Sequence, residues 1–511
     1  MRLLSLALVG ASALAAAAPA SAAWHEARSM HFVIYADEKP NRLAEFASRF
    51  ERFDHAARAL LQMDDPAVGD GNRVTVYVLP TAKDVQKLAG DSFLSGFYTG
   101  RVSGSLAYVA KRDDNSDLGS QTILYHEYSH HLMMQALDQP YPEWYVEGFA
   151  EFLSTPSFDK DGGVGIGAPP QGRAWGLFNG QQLAIDALLG GTYGDIRKLS
   201  PELRESIYGR GWLLVHYLTM EPKRNGQLAK YVLGIAHGVP PLKSAQDSFG
   251  DLKLLDKDLN TYLHRSTVRS FKIASRGAPP AIDVRPLAAG AAAVVLLRGQ
   301  VKYGLKDPEA GQVLAQVRAV EAHFPGDELV ETTLAEAELD ADHAPAAEAA
   351  ADRAIKANPK NTEALVLKGR AMVARAETLD DRASHDLFDQ ARATFIAANK
   401  LDAEDPEPLM EFYRAFVSEG VRPTANAIAA LHYASDLAPQ DLGVRLNSAI
   451  AYLMEGKLKD ARATLVPVAY SPHGAGVAAM ASRMIARIDS GDAKGALMAA
   501  RSGSPDEAGA H

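Results

Sequence analysis

The chain has 511 residues, of which 47% are hydrophobic and 23% charged, and its formal net charge is −10. This length predicts two or three domains, and the composition is typical of globular rather than disordered proteins. The acidic balance argues against nucleic acid as a partner, since nucleic-acid-binding proteins present basic surfaces. No cysteine occurs, which excludes disulfides and thiolate metal ligands.

The first 22 residues have the pattern of a secretory signal peptide. Arg2 supplies the positive start, residues 3–18 form the apolar core, and Ala20-Ser21-Ala22 is a cleavage site of the A-x-A type. The core is too short to favour a membrane anchor, and a lipidated cysteine is impossible. We therefore expect a periplasmic or secreted protein with no stable membrane anchor.

Strand and helix patterns alternate over residues 24–110. Strand formers are dense in 31–35, 74–79 and 105–110, whereas the apolar residues of 41–63 recur at helical spacing. A short helix is predicted over 81–88, and the glycine- and aromatic-rich stretch 93–101 is interpreted as a connection. This order predicts a mixed α/β region ahead of the next helix.

That next helix carries His126-Glu127-Tyr128-Ser129-His130, an H-E-x-x-H motif. Residues four apart share one helix face, so His126 and His130 can direct two imidazoles at one cation, as zinc accepts. Glu127 lies about 100° around the helix, where it could take a proton from a water on the metal. His131 is five residues from His126 and is not expected to be a ligand.

A second helix is predicted to begin near Pro142 and to run antiparallel to the first. At a rise of about 1.5 Å per residue it returns level with His130 near residues 147–149. Glu147 fits that level, whereas Glu143 falls short and Glu151 overshoots by a turn, although all three share a face.

Together, His126-Glu127-x-x-His130 and Trp144-x-x-Glu147-Gly148-x-Ala150-Glu151 resemble the gluzincin zinc metallopeptidases, in particular the bacterial peptidase MA-like domains. The resemblance implies an α+β zincin-like metallopeptidase domain that holds Zn²⁺. It implies that His126, His130 and Glu147 are the metal ligands and that Glu127 is the catalytic base.

The resemblance also extends to residues around these ligands. Glu151 stands where thermolysin-like enzymes have an Asp that orients the first histidine ligand, so a supporting role is implied and the Glu is a departure. The strand before the motif helix, 105–110, would be an exposed edge that pairs with a peptide substrate. The residues alone leave an ordinary sheet strand equally open.

A tyrosine in a later predicted helix completes the implied catalytic set. Tyr208 precedes Trp212, Val215, His216, Tyr217 and Leu218 in a context similar to that of peptidase MA-like domains. There the tyrosine stabilises the oxyanion of the tetrahedral intermediate. The alternatives are that Tyr208 is a helix-surface or core residue, or that His216 or Tyr217 has this role.

The second half is rich in Ala and Glu and repeats at intervals near 34 residues. Phe324-Pro325-Gly326-Asp327 is followed by Asn358-Pro359-Lys360-Asn361, by 402–405 after an insertion, and by Ala438-Pro439-Gln440-Asp441. This pattern resembles tetratricopeptide repeats (TPR), which implies an all-α solenoid whose concave face binds a protein partner. The expected order is the metallopeptidase domain at 24–273, a linker at 274–286, the repeats at 287–490 and a flexible tail at 491–511.

Three functions are consistent with these patterns. The leading hypothesis is an exported zinc metallopeptidase that acts on a peptide or protein substrate. The second is an inactive peptidase-fold platform that serves as a protein-interaction module. The third is a metal-dependent hydrolase of a non-peptide bond, such as a cell-wall amide.

Overall fold

The computed structural model describes residues 24–66, 68–90, 96–111, 119–136, 140–193, 196–275, 280–304, 306, 308–471 and 474–501. The expected signal peptide lies outside these ranges. Within them, no helix is both long enough and apolar enough to cross a membrane.

The first part of the chain is a mixed α/β region. Its elements up to the metal-motif helices are β1 (Trp24–Arg28), β2 (Phe32–Asp37), α1 (Pro40–Leu61), β3 (Val74–Leu79), α2 (Ala82–Ala89), β4 (Gly96–Thr99), β5 (Leu106–Ala110), α3 (Gly119–Ala136) and α4 (Glu143–Leu153). It continues with β6 (Ser157–Phe158), β7 (Val164–Ile166), α5 (Ala174–Asn179), α6 (Ile185–Gly190), α7 (Pro201–Met220), α8 (Gln227–Ala236), α9 (Pro241–Phe249), α10 (Leu252–Leu263), β8 (Phe271–Ile273) and β9 (Asp283–Pro286).

From Ala289 the described chain is helical. Its elements are α11 (Ala289–Tyr303), α12 (Glu309–His323), α13 (Glu328–Asp340), α14 (Ala344–Ala357), α15 (Thr362–Ala376), α16 (Asp381–Leu401), α17 (Pro406–Ser418), α18 (Ala425–Leu437), α19 (Leu442–Met454), α20 (Leu458–Ala469), α21 (Ala475–Asp489) and α22 (Ala493–Arg501). Consecutive helices pack as pairs, and α13, α15 and α17 also contact one another in turn. We call α11–α22 the helical array.

The main sheet has the order β4-β5-β3-β2-β1-β9, in which β2, β3 and β5 are parallel and the other pairings are antiparallel. The stretch 93–101, interpreted as a connection, contains β4. The expectation of an exposed edge at 105–110 is wrong, because β5 lies between β3 and β4. Because β4 pairs antiparallel with β5, β4 is the edge strand on this side of the sheet.

Both faces of this sheet are covered. One face packs against α1 and α3 through residues such as Ile34 and Val76. The other packs against α2 and α11, where Tyr108 Oη donates to the carbonyl of Gly299 at 2.7 Å. Strands buried on both sides read as continuous apolar runs, which explains the density of strand formers in β2 and β3. The first helix of the array is therefore part of the sheet's second layer.

Two segments differ from the expected boundaries. The expected linker 274–286 contains β9, which pairs antiparallel with β1 and extends the sheet beyond Ile273. The expected tail 491–511 contains α22, which packs against α21 and α19, and residues 502–511 lie outside the described ranges. Short segments such as Asp283–Pro286 carry little periodic signal of their own, so their structure follows from the surface on which they pack.

The repeated turns of the array are helix caps. Asp327, Asn361, Asp405 and Asp441 each accept a backbone N–H from the first turn of the following helix, at 3.1, 2.8, 3.0 and 2.9 Å respectively. Such side chains satisfy amide groups that have no partner within the helix. The sequence period therefore marks one helix pair per repeat, and the prediction of a TPR-like helical region is confirmed.

Candidate metal centre

Helix α3 is anchored to α1 through its aromatic residues. Tyr125 stacks on Phe50 with ring centroids 4.8 Å apart, and Tyr128 Oη donates to Asp54 Oδ1 at 2.6 Å. Both tyrosines are buried. With this face held against α1, the motif histidines are directed toward α4.

Helix α4 is held by Trp144 and Gly148. The Trp144 ring is fully buried, and its Nε1 donates to Tyr231 Oη at 3.2 Å. Gly148 lies against Gly211 of α7 so closely that an added Cβ would be 2.5 Å from the Gly211 carbonyl oxygen. Because α4 and α7 cross so closely, Glu147 of α4 and Tyr208 of α7 both lie near the two histidines of α3.

Three ligand atoms form a small triangle. His126 Nε2 and His130 Nε2 are 3.1 Å apart, and Glu147 Oε2 is 3.3 and 3.5 Å from these two nitrogens. Ligands of a tetrahedral zinc ion, with bonds near 2.05 Å, are separated by about 3.3 Å. The N₂O donor set and its spacing therefore fit zinc, and the three predicted ligands meet in one buried cluster.

The cluster concentrates negative charge around His126. Burial opposes a charge on this ring, but hydrogen bonding to Glu147 and the charges of Glu151, Glu147 and Glu127 outweigh it and raise the pKa of His126 to about 9. The carboxylates thus favour a cation at this position. A bound divalent metal ion would likewise place positive charge among these carboxylates.

Glu151 lies near the second ring nitrogen of His126, Nδ1. Its Oε1 lies 3.4 Å from His126 Nδ1 and accepts from Arg173 Nε and Nη2 at 3.0 and 2.7 Å. Arg173 Nη1 also donates to Glu205 at 2.7 Å. Glu151 was expected from the resemblance as a supporting residue, and the contacts of Arg173 with it were not expected from the sequence. Arg173 lies 22 residues after Glu151, and no local sequence pattern connects it with α4.

Tyr208 borders the same cluster. Its ring centroid is 6.0 Å from that of His126, and the guanidinium carbon of Arg173 lies 4.5 Å from the Tyr208 ring centroid. The charge of Glu147, together with burial, raises the pKa of Tyr208 well above its ordinary value. The phenol therefore keeps its proton and can act as a hydrogen-bond donor.

The other candidates for this role have structural partners. His216 lies between the carbonyl of Arg269 and the hydroxyl of Tyr262, both at 2.9 Å. Tyr217 Oη donates to Asp258 at 2.9 Å. The hydrogen-bond partners of His216 and Tyr217 are therefore residues outside the His-His-Glu cluster.

Glu127 follows His126 on α3 and is partly exposed. Its charge is one of those that raise the pKa of both His126 and Tyr208. A partly exposed carboxylate next in sequence to His126 has the chemistry for proton transfer.

His131 is not part of the cluster. Its Nδ1 lies 2.6 Å from Tyr98 Oη and its Nε2 lies 2.8 Å from Gln135 Nε2. Burial lowers the pKa of His131 to about 3, so the ring is neutral. It stacks on Tyr128, with ring centroids 5.1 Å apart, and helps to pack α3.

The chain was also compared with known proteins. No protein-family model matches the chain, and no curated protein matches it. A crystal structure of a thermophilic TPR protein from Thermus thermophilus is similar at 18% identity and a TM-score of 0.33, over 38% of this chain and 97% of that one. Fold and site together define a mixed α/β region with a buried His-His-Glu triad, followed by a TPR-like helical region.

Proposed function

We propose that this protein is a zinc-dependent metallopeptidase that hydrolyses peptide bonds. The observation that carries the proposal is the triangle of His126 Nε2, His130 Nε2 and Glu147 Oε2, which matches the ligand spacing of tetrahedral zinc. Glu127, the residue after His126, is partly exposed. A structural zinc site is usually closed by four protein ligands, whereas three leave a position for catalysis.

Each side chain has a definite task in this proposal. Zinc bound by the triad would supply a Lewis acid that polarises a carbonyl and acidifies water. Glu127 takes a proton from the attacking water and delivers it to the leaving amine. Tyr208, which keeps its proton, donates to the carbonyl oxygen as negative charge develops there. Arg173 and Glu151 hold the His126 ring in orientation.

We further propose that the TPR-like array binds a protein or peptide, since stacked helix pairs provide extended surfaces for such partners. Export to the periplasm or beyond is proposed from the pattern of the first 22 residues alone.

The proposal is tested by zinc analysis and by mapping of cleaved peptide bonds. We expect about one zinc per chain in the wild type and in Glu127→Gln, and loss of zinc in His126→Ala. New peptide ends in a protein mixture should appear with the wild type and disappear with Glu127→Gln. Glu45→Gln, an exposed change on α1, is the matched control and should cleave like the wild type.

Two outcomes would reject this function. A Glu127→Gln variant that cleaves normally excludes the assigned base. A zinc-loaded wild type that cleaves no peptide bond favours the inactive platform or a hydrolase of another amide.

A further inference from the structure

Two equivalent turns of the helical array lie against the α/β region. Turn 402–405 connects α16 to α17, and turn 438–441 connects α18 to α19. Asn72 Nδ2 donates to the Glu404 carbonyl at 3.0 Å, and the Val102 amide donates to Asp441 Oδ2 at 2.7 Å. The same position in successive helix pairs thus contacts two neighbouring loops of the α/β region.

The loops meet these turns through glycines. A Cβ on Gly71 would lie 2.6 Å from Asp405 Cγ, and one on Gly100 would lie 2.8 Å from the Gln440 carbonyl oxygen. Neither glycine has the left-handed φ that would require glycine for local reasons. The approach of the array is therefore what excludes a side chain at these two positions.

Turn 438–441 also reaches the helix that carries the metal motif. Arg445, which follows the turn on α19, donates from Nη2 to the Met134 carbonyl at 3.0 Å, near the carboxyl end of α3. The last carbonyls of a helix lack partners within the helix, and cations are favoured there. Arg445 thus supplies a cap that α3 receives from a distant part of the chain.

Side-chain hydrogen bonds also connect turn 438–441 to α3. Gln440 Nε2 donates to Ser105 Oγ at 3.2 Å, and Tyr98 Oη donates to the same oxygen at 2.9 Å. Tyr98 in turn contacts His131 of α3 at 2.6 Å. The turn is therefore connected to α3 both at its carboxyl end and beside His130.

We propose that Gln440, Asp441 and Arg445 form a docking surface of the array whose partner is the α/β region of the same chain, and that this surface holds α3 in position against α4. Arg445 is a positioning residue, which acts on the ligand triangle through the helix. The array therefore helps to position the helix that carries His126 and His130, in addition to any partner that it binds. This inference goes beyond the proposed peptidase activity and does not depend on it.

The test uses the full-length protein and two measurements that do not require peptide cleavage. Amide hydrogen exchange is followed over residues 119–136 and, for comparison, over α13, and transfer of zinc to a chelator is timed. In Gln440→Ala/Arg445→Ala, we expect exchange in α3 and zinc transfer to be about tenfold faster, because hydrogen bonds that hold α3 are lost. Exchange in α13 should not change.

Matched variants separate positioning from general weakening. Arg445→Lys keeps a cationic donor near Met134 and should restore most of the zinc retention. Gly100→Ala, which pushes the turn away without deleting any hydrogen-bonding side chain, should accelerate zinc transfer. Arg462→Ala breaks a contact to Asp489 within the array, 2.6 Å long, and should behave like the wild type.

Two results would overturn the inference. One is unchanged exchange in α3 in both the double variant and Gly100→Ala. The other is an equal acceleration in α3 and α13, which would mean that these residues only stabilise the whole chain. If the chain binds no zinc, the peptidase proposal fails, and the exchange measurement still decides the docking proposal.

Discussion

Gly148 of α4 and Gly211 of α7 lie in direct backbone contact, and a Cβ on Gly148 would be 2.5 Å from the carbonyl oxygen of Gly211. This contact sets the distance between the helix that carries Glu147 and the helix that carries Tyr208. The glycine of the second sequence motif is thus explained by packing between helices, because only hydrogen fits between these two backbones.

Gly148→Ala should therefore separate α4 from α7 and weaken the metal site. We expect a loss of about 2–3 kcal/mol in the free energy of unfolding, as for overpacked cores, together with weaker zinc binding. Urea denaturation and chelator competition measure the two effects. Gly190→Ala, at the end of α6, is the control, since its nearest new contact would be an ordinary one at 3.5 Å. Equal stability of the two variants would contradict the argument.

Arg173→Ala should weaken the site although Arg173 is not among the proposed ligands. The change removes the donors that fix Glu151 behind His126 and the cation over the Tyr208 ring. Losses of supporting contacts around metal ligands reduce metal affinity or activity by about 10–100-fold. Arg392→Ala in the array is the control, because Arg392 also covers an aromatic ring at 4.5 Å and pairs with a glutamate. If both variants retain full zinc affinity and activity, the support assigned to Arg173 is wrong.

Zinc affinity should rise with pH. A cation that binds to His126 must displace its proton, and the pKa of His126 in the site is about 9. We expect affinity to increase about tenfold per pH unit below that value, which competition with a chelator between pH 6.5 and 9 measures. Glu151→Gln removes one of the charges that raise the pKa of His126, so its profile should level off at a lower pH. An affinity independent of pH in the wild type would be inconsistent with this environment.

Stability should fall as pH rises through the titration of Glu407. Burial raises the pKa of Glu407 from 4.5 to about 8, against the opposing charges of Lys302 and Arg370. The folded state therefore binds this proton more tightly than the unfolded state. Its contribution is complete below about pH 4.5 and is lost as pH rises through about 8.

Glu407→Gln should remove this dependence, since the amide is neutral at every pH. At pH 9 we expect the variant to be more stable than the wild type by an amount on the order of 2 kcal/mol, and at pH 5 the two should be similar. Urea denaturation at both pH values measures the difference. Glu309→Gln changes an exposed carboxylate of α12 and should show no such crossover. A Glu407→Gln variant that is less stable at pH 9 would mean that the carboxylate is ionised and well paired.

Much of the metal centre could be predicted from local spacing. His126 and His130 are one helical turn apart, and Glu147 lies at the level where an antiparallel helix returns, so short-range geometry brings them together. The array was predictable for a similar reason, because Asp327, Asn361, Asp405 and Asp441 are caps whose recurrence is visible along the chain. These features depend on neighbours in sequence or on one regular element.

Other features depend on surfaces that meet only in the folded chain. Arg173 reaches Glu151 across 22 residues, and Arg445 reaches Met134 across 311. The short segment β4 forms a strand because it pairs with β5, and its own sequence gives no strand pattern. The sequence therefore predicts the sheet edge at β5, whereas β4 forms it. The sequence by itself determined the His-His-Glu triad and the helix pairs, since local backbone periodicity specifies them. Only the tertiary structure decided what supports the triad, because long-range packing follows from the complementary shape and charge of whole elements.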